Sequence, residues 1–332
     1  MSKPLVSVIW LNYNSSKLVN IALKSLEAIS AFEVPFELIV VDNNSTDSSF
    51  EIIKNFLMKL DLKYLKIIKA PKNLGYTGGN NLGYLYSDKR TKYIVLINND
   101  LIPDEDSISD MVKFMEEKPS IGALQGVIFH INGKTVENAG FLCSEGLVNH
   151  PIKEFPKKPI EVTYASGAYL IIRKSAIDKI GKLFDWHGFM YFDDWPLGYR
   201  IWMHGYKVIV LPVVAGRHLG GGSGGVLSPR TLYYMYRGLA MIIELSNSRF
   251  KKIIKATILK RLPLRNSIKN PSLIKASVNG LRDGFSIGNM MRKQGEVLDI
   301  YAAPLVKGSP LREILFLYKG ISKNTESQSY IL

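Results

Sequence analysis

The sequence predicts an α/β fold: a mostly parallel sheet flanked by helices, followed by a helical C-terminal extension. Three observations predict it. Short apolar runs rich in β-branched residues alternate with stretches of helical periodicity through the first hundred residues. Three of those runs end in polar clusters, at Asn12, Asp42 and Asn98. Beyond residue 225 the alternation gives way to helical stretches punctuated by proline.

The elements follow in order. Leu5 to Leu11 reads as a buried strand that Asn12, Tyr13 and Asn14 break. Leu18, Ile21, Ala22, Leu26 and Ile29 then recur with helical spacing. Glu37 to Val41 is a second strand, ended by Asp42-Asn43-Asn44. Ser48 and Glu51 are spaced as a capping box, opening a helix with the apolar stripe Ile52, Ile53, Phe56, Leu57 and Leu60. Tyr64 to Lys69 is a third strand, and a Gly/Asn-rich stretch from Asn73 to Gly83 follows it. Tyr93 to Ile97 is a fourth strand, ended by Asn98-Asn99-Asp100. Later strands are expected at Leu124–Ile131, Ala168–Ile172 and Lys207–Leu211. Residues 226–332 read as helices separated by Pro263, Pro271, Pro304 and Pro310. In a parallel sheet ligands bind beyond the carboxyl ends of the strands, where all three polar clusters fall. That coincidence is the first functional signal.

Composition narrows the class. The 332 residues are 46% hydrophobic, enough for one large domain plus an appendage. The division expected is 1–225 as the larger unit, in two parts that meet between about residues 110 and 120, and 226–332 as a basic helical extension. No apolar run reaches the ~20 residues of a membrane-spanning helix. The start, MSKPLVSVIW, has no signal-peptide pattern, so a cytoplasmic location is expected. Cys143 is the sole cysteine, which excludes an intramolecular disulfide and a cysteine-rich metal site; it reads as a small, half-buried residue.

The net charge of +14 is uneven. Residues 1–225 hold 25 Lys and Arg against 23 Asp and Glu, whereas residues 226–332 hold 18 against 6. Such a tail is expected to meet something anionic: a membrane surface, a phosphorylated lipid or a nucleic acid. Tyr233, Tyr234 and Tyr236 interleave its charges, but no nucleic-acid module accompanies them, so no nucleic-acid partner is expected. Ile253, Ile254, Ile258 and Leu262, flanked by Lys251, Lys252, Lys255, Lys260 and Arg261, read as an amphipathic basic helix. It either lies peripherally on the inner face of a membrane or packs on the domain with its basic face outward.

The polar clusters carry the chemistry. A carboxylate at a strand end, as at Asp100, is placed to hold Mg²⁺ or Mn²⁺ against a diphosphate, though Asn and Asp also form plain turns. Asp42 can accept hydrogen bonds from a base or ribose, or cap a turn. Asp193 and Asp194 lie among Phe189, Tyr191, Phe192 and Trp195. Carboxylates among aromatics are costly without work or partners, and a raised pKa there suits a general base. The alternative is a surface pair flanking a helix start. His218 follows an apolar strand and is either a metal ligand or a satisfied core histidine.

Seven segments in this order resemble one family: VSVIWLNYN, ELIVVDNNSTD, NLGYTGGNNLGY, YIVLINNDLIP, ASGAYLIIRKSAIDKIGKLFD, FMYFDDWPLGYRIWMHGYKVIVLP and GRHLGGGS. They resemble the inverting glycosyltransferases of family 2, especially rhamnosyltransferase-like members, over residues 5 to about 240. The resemblance implies a GT-A fold, a Rossmann-like sheet that binds nucleoside-diphosphate sugars. It implies that Asn12, Tyr13 and Asn14 line the base pocket and that Asp42 contacts the nucleoside. Asn73, Gly75 and Asn80 match the loop beside the nucleotide. Asp100 matches the last acid of the metal-binding D-x-D motif, which Asn98 and Asn99 precede, and His218 a histidine that completes the metal site. Asp194, after Asp193, matches the catalytic base. Two departures stand out: the D-x-D motif holds one acid, and Asp193-Asp194-Trp195-Pro196 lacks the final acid of Glu-Asp-x-Asp. What the resemblance implies is a single displacement from a UDP-, dTDP- or GDP-sugar to a glycan or lipid-linked acceptor, with a divalent cation. A relative that only binds nucleotide sugar is the alternative that the thinned motif keeps open.

Overall fold

The computed structural model describes residues 4–133, 136–137, 139–143, 149–220, 228–265 and 270–306. Residues 221–225 of the glycine-rich stretch and Pro310 lie outside them, as do the side chains of Lys260, Arg261 and Leu262.

Strand and helix alternate first: β1 (Val6–Asn12), α1 (Val19–Ser30), β2 (Phe36–Asp42), α2 (Ser49–Leu57), β3 (Leu65–Lys69), α3 (Gly75–Leu85) and β4 (Tyr93–Asn98). Next come β5 (Leu101–Pro103), α4 (Ser107–Glu117), β6 (Ile121–His130), β7 (Val136–Glu137), β8 (Gly140–Cys143), β9 (Asn149–Pro151) and β10 (Ile160–Glu161). Then follow β11 (Tyr169–Arg173), α5 (Lys174–Ile180), α6 (Asp194–Met203) and β12 (Lys207–His218). The chain continues through α7 (Pro229–Leu245), α8 (Lys251–Arg265), α9 (Pro271–Lys293) and β13 (Leu305–Val306).

The main sheet runs β10-β12-β6-β11-β4-β1-β2-β3. Its β1–β2, β2–β3, β1–β4 and β6–β12 pairs are parallel, and β11 lies antiparallel between β4 and β6. The α/β class is therefore as predicted, in a mixed sheet: β1 to β4 run parallel, whereas β10 and β5 lie antiparallel to β12 and β7 to β6. Both faces are covered, which is why the strands read as continuous apolar runs rather than alternating ones. Val6, Val8 and Trp10 face a core with α1, α2 and α4, while Ile9 faces a second core with α5 and α6.

Three local readings are corrected. The Asn73–Gly83 stretch is mostly helix, because its glycines let α3 lie against the sheet. A Cβ at Gly79 or Gly83 would come within 2.5 Å of Leu11 or Ile9. The capping box is not formed: the Ser48 side chain makes no capping bond, and Asp47 instead accepts from the Ser49 N–H at 3.0 Å. Pro263 falls within α8 rather than past its end.

The C-terminal helices are not separate in packing. A hydrophobic core joins Leu232, Leu239, Ile254, Ile258 and Leu281 to Trp195 and Tyr199 of α6. The expected boundary at 225 falls in residues outside the described set, and this core draws on both sides of it. Cys143 lies fully buried in the same core. The amphipathic stripe is split: Ile254 and Ile258 are buried, whereas Ile253 and Leu259 are 53% and 48% exposed. Lys255 turns back to Glu244 of α7 at 2.9 Å.

Close approach of α7 and α9 depends on Gly280, Gly284 and Gly288, spaced one turn apart. A Cβ at Gly280 would sit 2.3 Å from the Tyr233 carbonyl, and one at Gly284 2.3 Å from that of Arg237. At Gly288 the nearest atom belongs to the Glu244 side chain, 2.7 Å away. Gly→Ala in a helix gains about 1 kcal/mol of propensity, but overpacking costs about 1–3 kcal/mol, and since no rotamer moves a carbonyl or a Cβ aside the 2.3 Å contact costs more than the 2.7 Å contact with the Glu244 Cβ. Gly284→Ala is therefore expected to lower the urea midpoint of the full chain, and Gly288→Ala to lower it less. An unchanged or higher midpoint for Gly284→Ala would contradict the close contact.

Candidate active site

The register of the sheet sets the site. Asn12 of β1 lies opposite Asp42 of β2, and Leu11 lies opposite Asn98 of β4, so the three polar clusters meet at one edge. Asn12 and Asp42 are fully buried and tied together there. The Asn12 Nδ2 lies 3.0 Å from Asp42 Oδ1, 3.2 Å from Ser45 Oγ and 3.1 Å from Ser49 Oγ. Its Oδ1 accepts from the Ser15 hydroxyl and, at 3.4 Å, from Asn99 Nδ2. The Ser45 N–H donates to Asp42 Oδ2 at 3.0 Å, so this acid closes a turn. Asn14, in the left-handed region at φ +47°, accepts from the Thr46 N–H at 2.8 Å. Tyr13 stands exposed at the rim.

Sequence reasoning passed over Asn43, although it stands inside one of the matching segments. Its Nδ2 donates to Asn73 Oδ1 and to the Gly75 carbonyl, and its Oδ1 accepts from the Leu74 N–H at 2.8 Å. It thereby fixes the entry to α3. At Gly75, φ is +73° and a Cβ would lie 2.3 Å from the Phe189 carbonyl, so two requirements for glycine coincide. Asn80 is buried and donates to the Tyr76 carbonyl of its own helix. Its neighbour Asn81 reaches farther, exchanging two 3.0 Å bonds with the backbone of Phe184.

At the end of β4 the chain turns through Asn99 and Asp100 into β5, which pairs antiparallel with the far end of β12. The strand expected at Lys207–Leu211 continues to His218, and His218 pairs with Leu101. This continuation sets His218 Nε2 2.9 Å from Asp100 Oδ1. One hard oxygen and one imidazole nitrogen thus converge. No cluster of three His, Cys, Asp or Glu suited to a metal occurs among the described residues.

Across from this edge stand the paired acids. Asp193 stands at the N-cap position of α6 without a side-chain capping bond, and Asp194 is the first residue of the helix. They do flank a helix start, yet they lie against aromatics: Trp195 contacts Phe192 and Tyr164. The Gly167 N–H donates to Asp194 Oδ1 at 3.1 Å, and the Tyr76 hydroxyl donates to the Gly167 carbonyl at 2.9 Å. The next residue, Ala168, accepts the Asn98 N–H at 2.9 Å, which links Asp194 to the strand end that carries Asp100. Burial pushes the Asp194 carboxyl up to about 7, against the opposing Gly167 N–H. Burial, followed by the charges of Asp194 and Asp185, pushes Asp193 well above the usual carboxylate range, while Arg237 pulls it down. Burial also raises Asp185, but Arg200 at 2.9 Å and Lys182 at 3.0 Å outweigh it and hold that carboxyl low. A cavity of about 20 Å³, room for one water, lies under Asp193, with Asp185, Gly188 and Gly238 in its walls.

The segment before α6 is strained. Phe189, Tyr191 and Phe192 all have φ between +60° and +70°. Nothing in the sequence signals this, since none of the three is Gly, Asn or Asp. Asp185, Arg200, Tyr76 and Gly167 were missed for a related reason: each acts through a partner 15 to 91 positions away in the chain.

Comparisons with known proteins bear on the fold and the family. A hexosyltransferase of low-salt glycan biosynthesis from Haloferax volcanii, Agl10, is 26% identical over 59% of this chain. The chain spans 61% of that relative's length. The crystal structure of Staphylococcus aureus TarS with UDP-GlcNAc superposes with a TM-score of 0.53 at 18% identity, over 88% of this chain and 92% of that one. The mannosyltransferase PcManGT of Pyrobaculum calidifontis, solved with GDP-Man and Mn²⁺, gives 0.51 at 18% identity, over 96% and 82%. Both share the GT-A fold. Residues 7–181 match the profile of Glycosyl transferase family 2, and the chain belongs to that family.

Proposed function

We propose that the protein transfers a hexosyl or rhamnosyl group from a nucleoside-diphosphate sugar to a hydroxyl of a glycan or lipid-linked acceptor, with inversion. One observation carries the reading: Asp194, raised to about 7, is held by Gly167 beside the strand end that bears Asp100. Asp194 takes the acceptor's hydroxyl proton, and that oxygen bonds to the anomeric carbon. The bond from that carbon to the diphosphate oxygen breaks, and the nucleoside diphosphate leaves with the electron pair. A single displacement inverts the centre.

The donor side is built by Asn12, Tyr13, Asn14, Asp42 and the Asn73–Asn80 segment. Buried Asp42 and Asn12 act in this reading by fixing the Ser45–Thr46 turn and Asn14, whose exposed neighbours face the nucleoside. UDP-, dTDP- and GDP-sugars all remain donors of this reading, and the relatives' UDP-GlcNAc and GDP-Man support the class. Asp100 and His218 fit a divalent cation as two donors, leaving the rest of the shell to diphosphate oxygens and water. Such a cation, bound there, neutralises charge on the departing diphosphate.

Three tests follow. Asp194→Asn is expected to abolish transfer, by at least about a hundredfold, and to leave nucleotide-sugar affinity unchanged in calorimetry. In the wild type kcat/KM for the acceptor should rise with pH through about 7 and level off above it, because a raised carboxyl is a base only once ionised. Wild-type turnover in the variant would remove Asp194 from the role.

Titration of Mn²⁺ should show weak binding to the free protein and much tighter binding with UDP, dTDP or GDP present. Asp100→Ala should abolish that coupling and His218→Ala weaken it. Equal Mn²⁺ affinity with and without every nucleotide would rule the cation site out.

The outward face of α8 supports a membrane partner. Ile253 and Leu259 are exposed beside Lys252, on a tail of strong positive charge. Vesicles containing anionic lipid should sediment the protein at low salt and release it at high salt. Ile253→Asp combined with Leu259→Asp should reduce the binding. Absence of binding at low salt would leave α8 as a packing helix alone.

A further inference from the structure

The C-terminal helices take part in the site itself. The segment that delivers Asp193 and Asp194, residues 187–192, contains three left-handed residues, and such backbone persists only when its surroundings hold it. On one side α3 holds it: Thr77 Oγ1 accepts the Phe189 N–H at 2.8 Å, and the Thr77 N–H donates to the Phe189 carbonyl at 3.2 Å. On the other side stands α7. Gly238 lets α7 approach so closely that a Cβ there would lie 2.8 Å from the Tyr191 carbonyl. The Tyr234 ring stacks on Phe189 with centroids 4.3 Å apart and planes 12° from parallel. Arg230 lies over Phe189, and Arg237 lies over Tyr234. Arg237 Nη2 donates to the His187 carbonyl, and its Nε is buried with no hydrogen-bond partner among the described residues.

We infer that Arg237 is a positioning residue for the Asp193–Asp194 pair, pinning residues 187–192 from the C-terminal side and placing a positive charge that acts on Asp193. This rests on the reading of Asp194 as base. Other groups around the pair are Tyr76 from α3, Tyr164 ahead of β11, and Asp185 ahead of α6 with its partners Lys182 and Arg200. Of these, Lys182 and Arg200 are engaged by Asp185 and Glu296. Arg237 is the cation whose charge acts on Asp193. The glycine stripe of α9 serves the same end, since Gly284 packs on the carbonyl of Arg237 and fixes its turn of α7.

The test compares Arg237→Gln and Arg237→Lys in the full chain, with Asp194→Asn alongside. Arg237→Gln is expected to lower kcat on the order of tenfold with donor KM unchanged. Its acid limb in the pH–rate profile should move to higher pH, because losing the positive charge that acts on Asp193 disfavours ionisation of the coupled pair. A fault of packing alone would not move the limb. Arg237→Lys keeps the charge but loses the planar fork, so the limb should stay in place while kcat falls severalfold. An unmoved limb in Arg237→Gln overturns the inference, as does a raised donor KM, which would mark Arg237 as a substrate contact. If the glutamine variant does not fold, wild-type kcat in Arg237→Lys overturns it instead. Should Asp194→Asn retain turnover, the reading of the base has failed, and that result is separate from any obtained with Arg237.

Discussion

Two carboxylates held next to each other against aromatic side chains set the terms for the rest of this structure. Neither Asp193 nor Asp194 has the full hydration that would keep it an ordinary acid, and the charge of Asp194 further disfavours ionisation of Asp193. The linkage has a definite sign. A carboxyl raised in the folded state keeps its proton there when the unfolded chain has lost it. Folding therefore binds protons, and stability declines as pH rises from about 4 toward 7. Near neutral pH the fold carries this pair as a cost, which the buried cores on both sides of α6 offset. The helix start, the Gly167 N–H and the ion pair of Asp185 with Arg200 all serve to make the arrangement tolerable.

The same constraint explains why the C-terminal helices cannot be treated as a tail. α6 is shared between two cores: Leu197 and Ile201 face the sheet, while Trp195 and Tyr199 face α7–α9. A helix whose first residue is the proposed base is thus wedged between layers, and its position depends on both. The ion network repeats the design in polar form. Arg200, nearly buried, joins Asp185 ahead of α6 to Glu296 beyond α9. A paired charge in that place is costly to break, because one partner's removal strands the other.

The parallel part of the sheet and its site-bearing edge were legible in the sequence, since a period and a polar stop are local signals. Leu5–Leu11 and Tyr93–Ile97 could be read as strands from a few consecutive residues. His218 beside Asp100 was harder. It required β12 to run on past Leu211, through Pro212 and two register shifts, to pair with β5. The close approach at Gly216, where a Cβ would meet the Ile102 carbonyl at 2.5 Å, shows which residue permits it, but only once the partner strand is known. Asn43 was hidden differently. Its motif was recognised, yet three bonds to residues 30 to 32 positions away are invisible without the fold.

Strain before α6 follows from the competing demands on that segment. Glycine would reach the left-handed region at no steric cost, whereas each of Phe189, Tyr191 and Phe192 gives up roughly 1–3 kcal/mol. Their side chains supply what glycine cannot. Phe189 stacks on Tyr234, Phe192 meets Trp195 edge-on, and Tyr191 walls the cavity beneath Asp193. These rings pack about the segment that carries the carboxylates, and burial there is what raises their proton affinity. Backbone strain, aromatic cover and a basic carboxyl are then parts of a single arrangement. The glycines sit instead on the opposing surfaces, at Gly75 and Gly238, where backbone must meet this segment closely. Side-chain bulk is concentrated on the strained strip and removed from the elements that clamp it, which lets α3 and α7 grip the strip by its backbone.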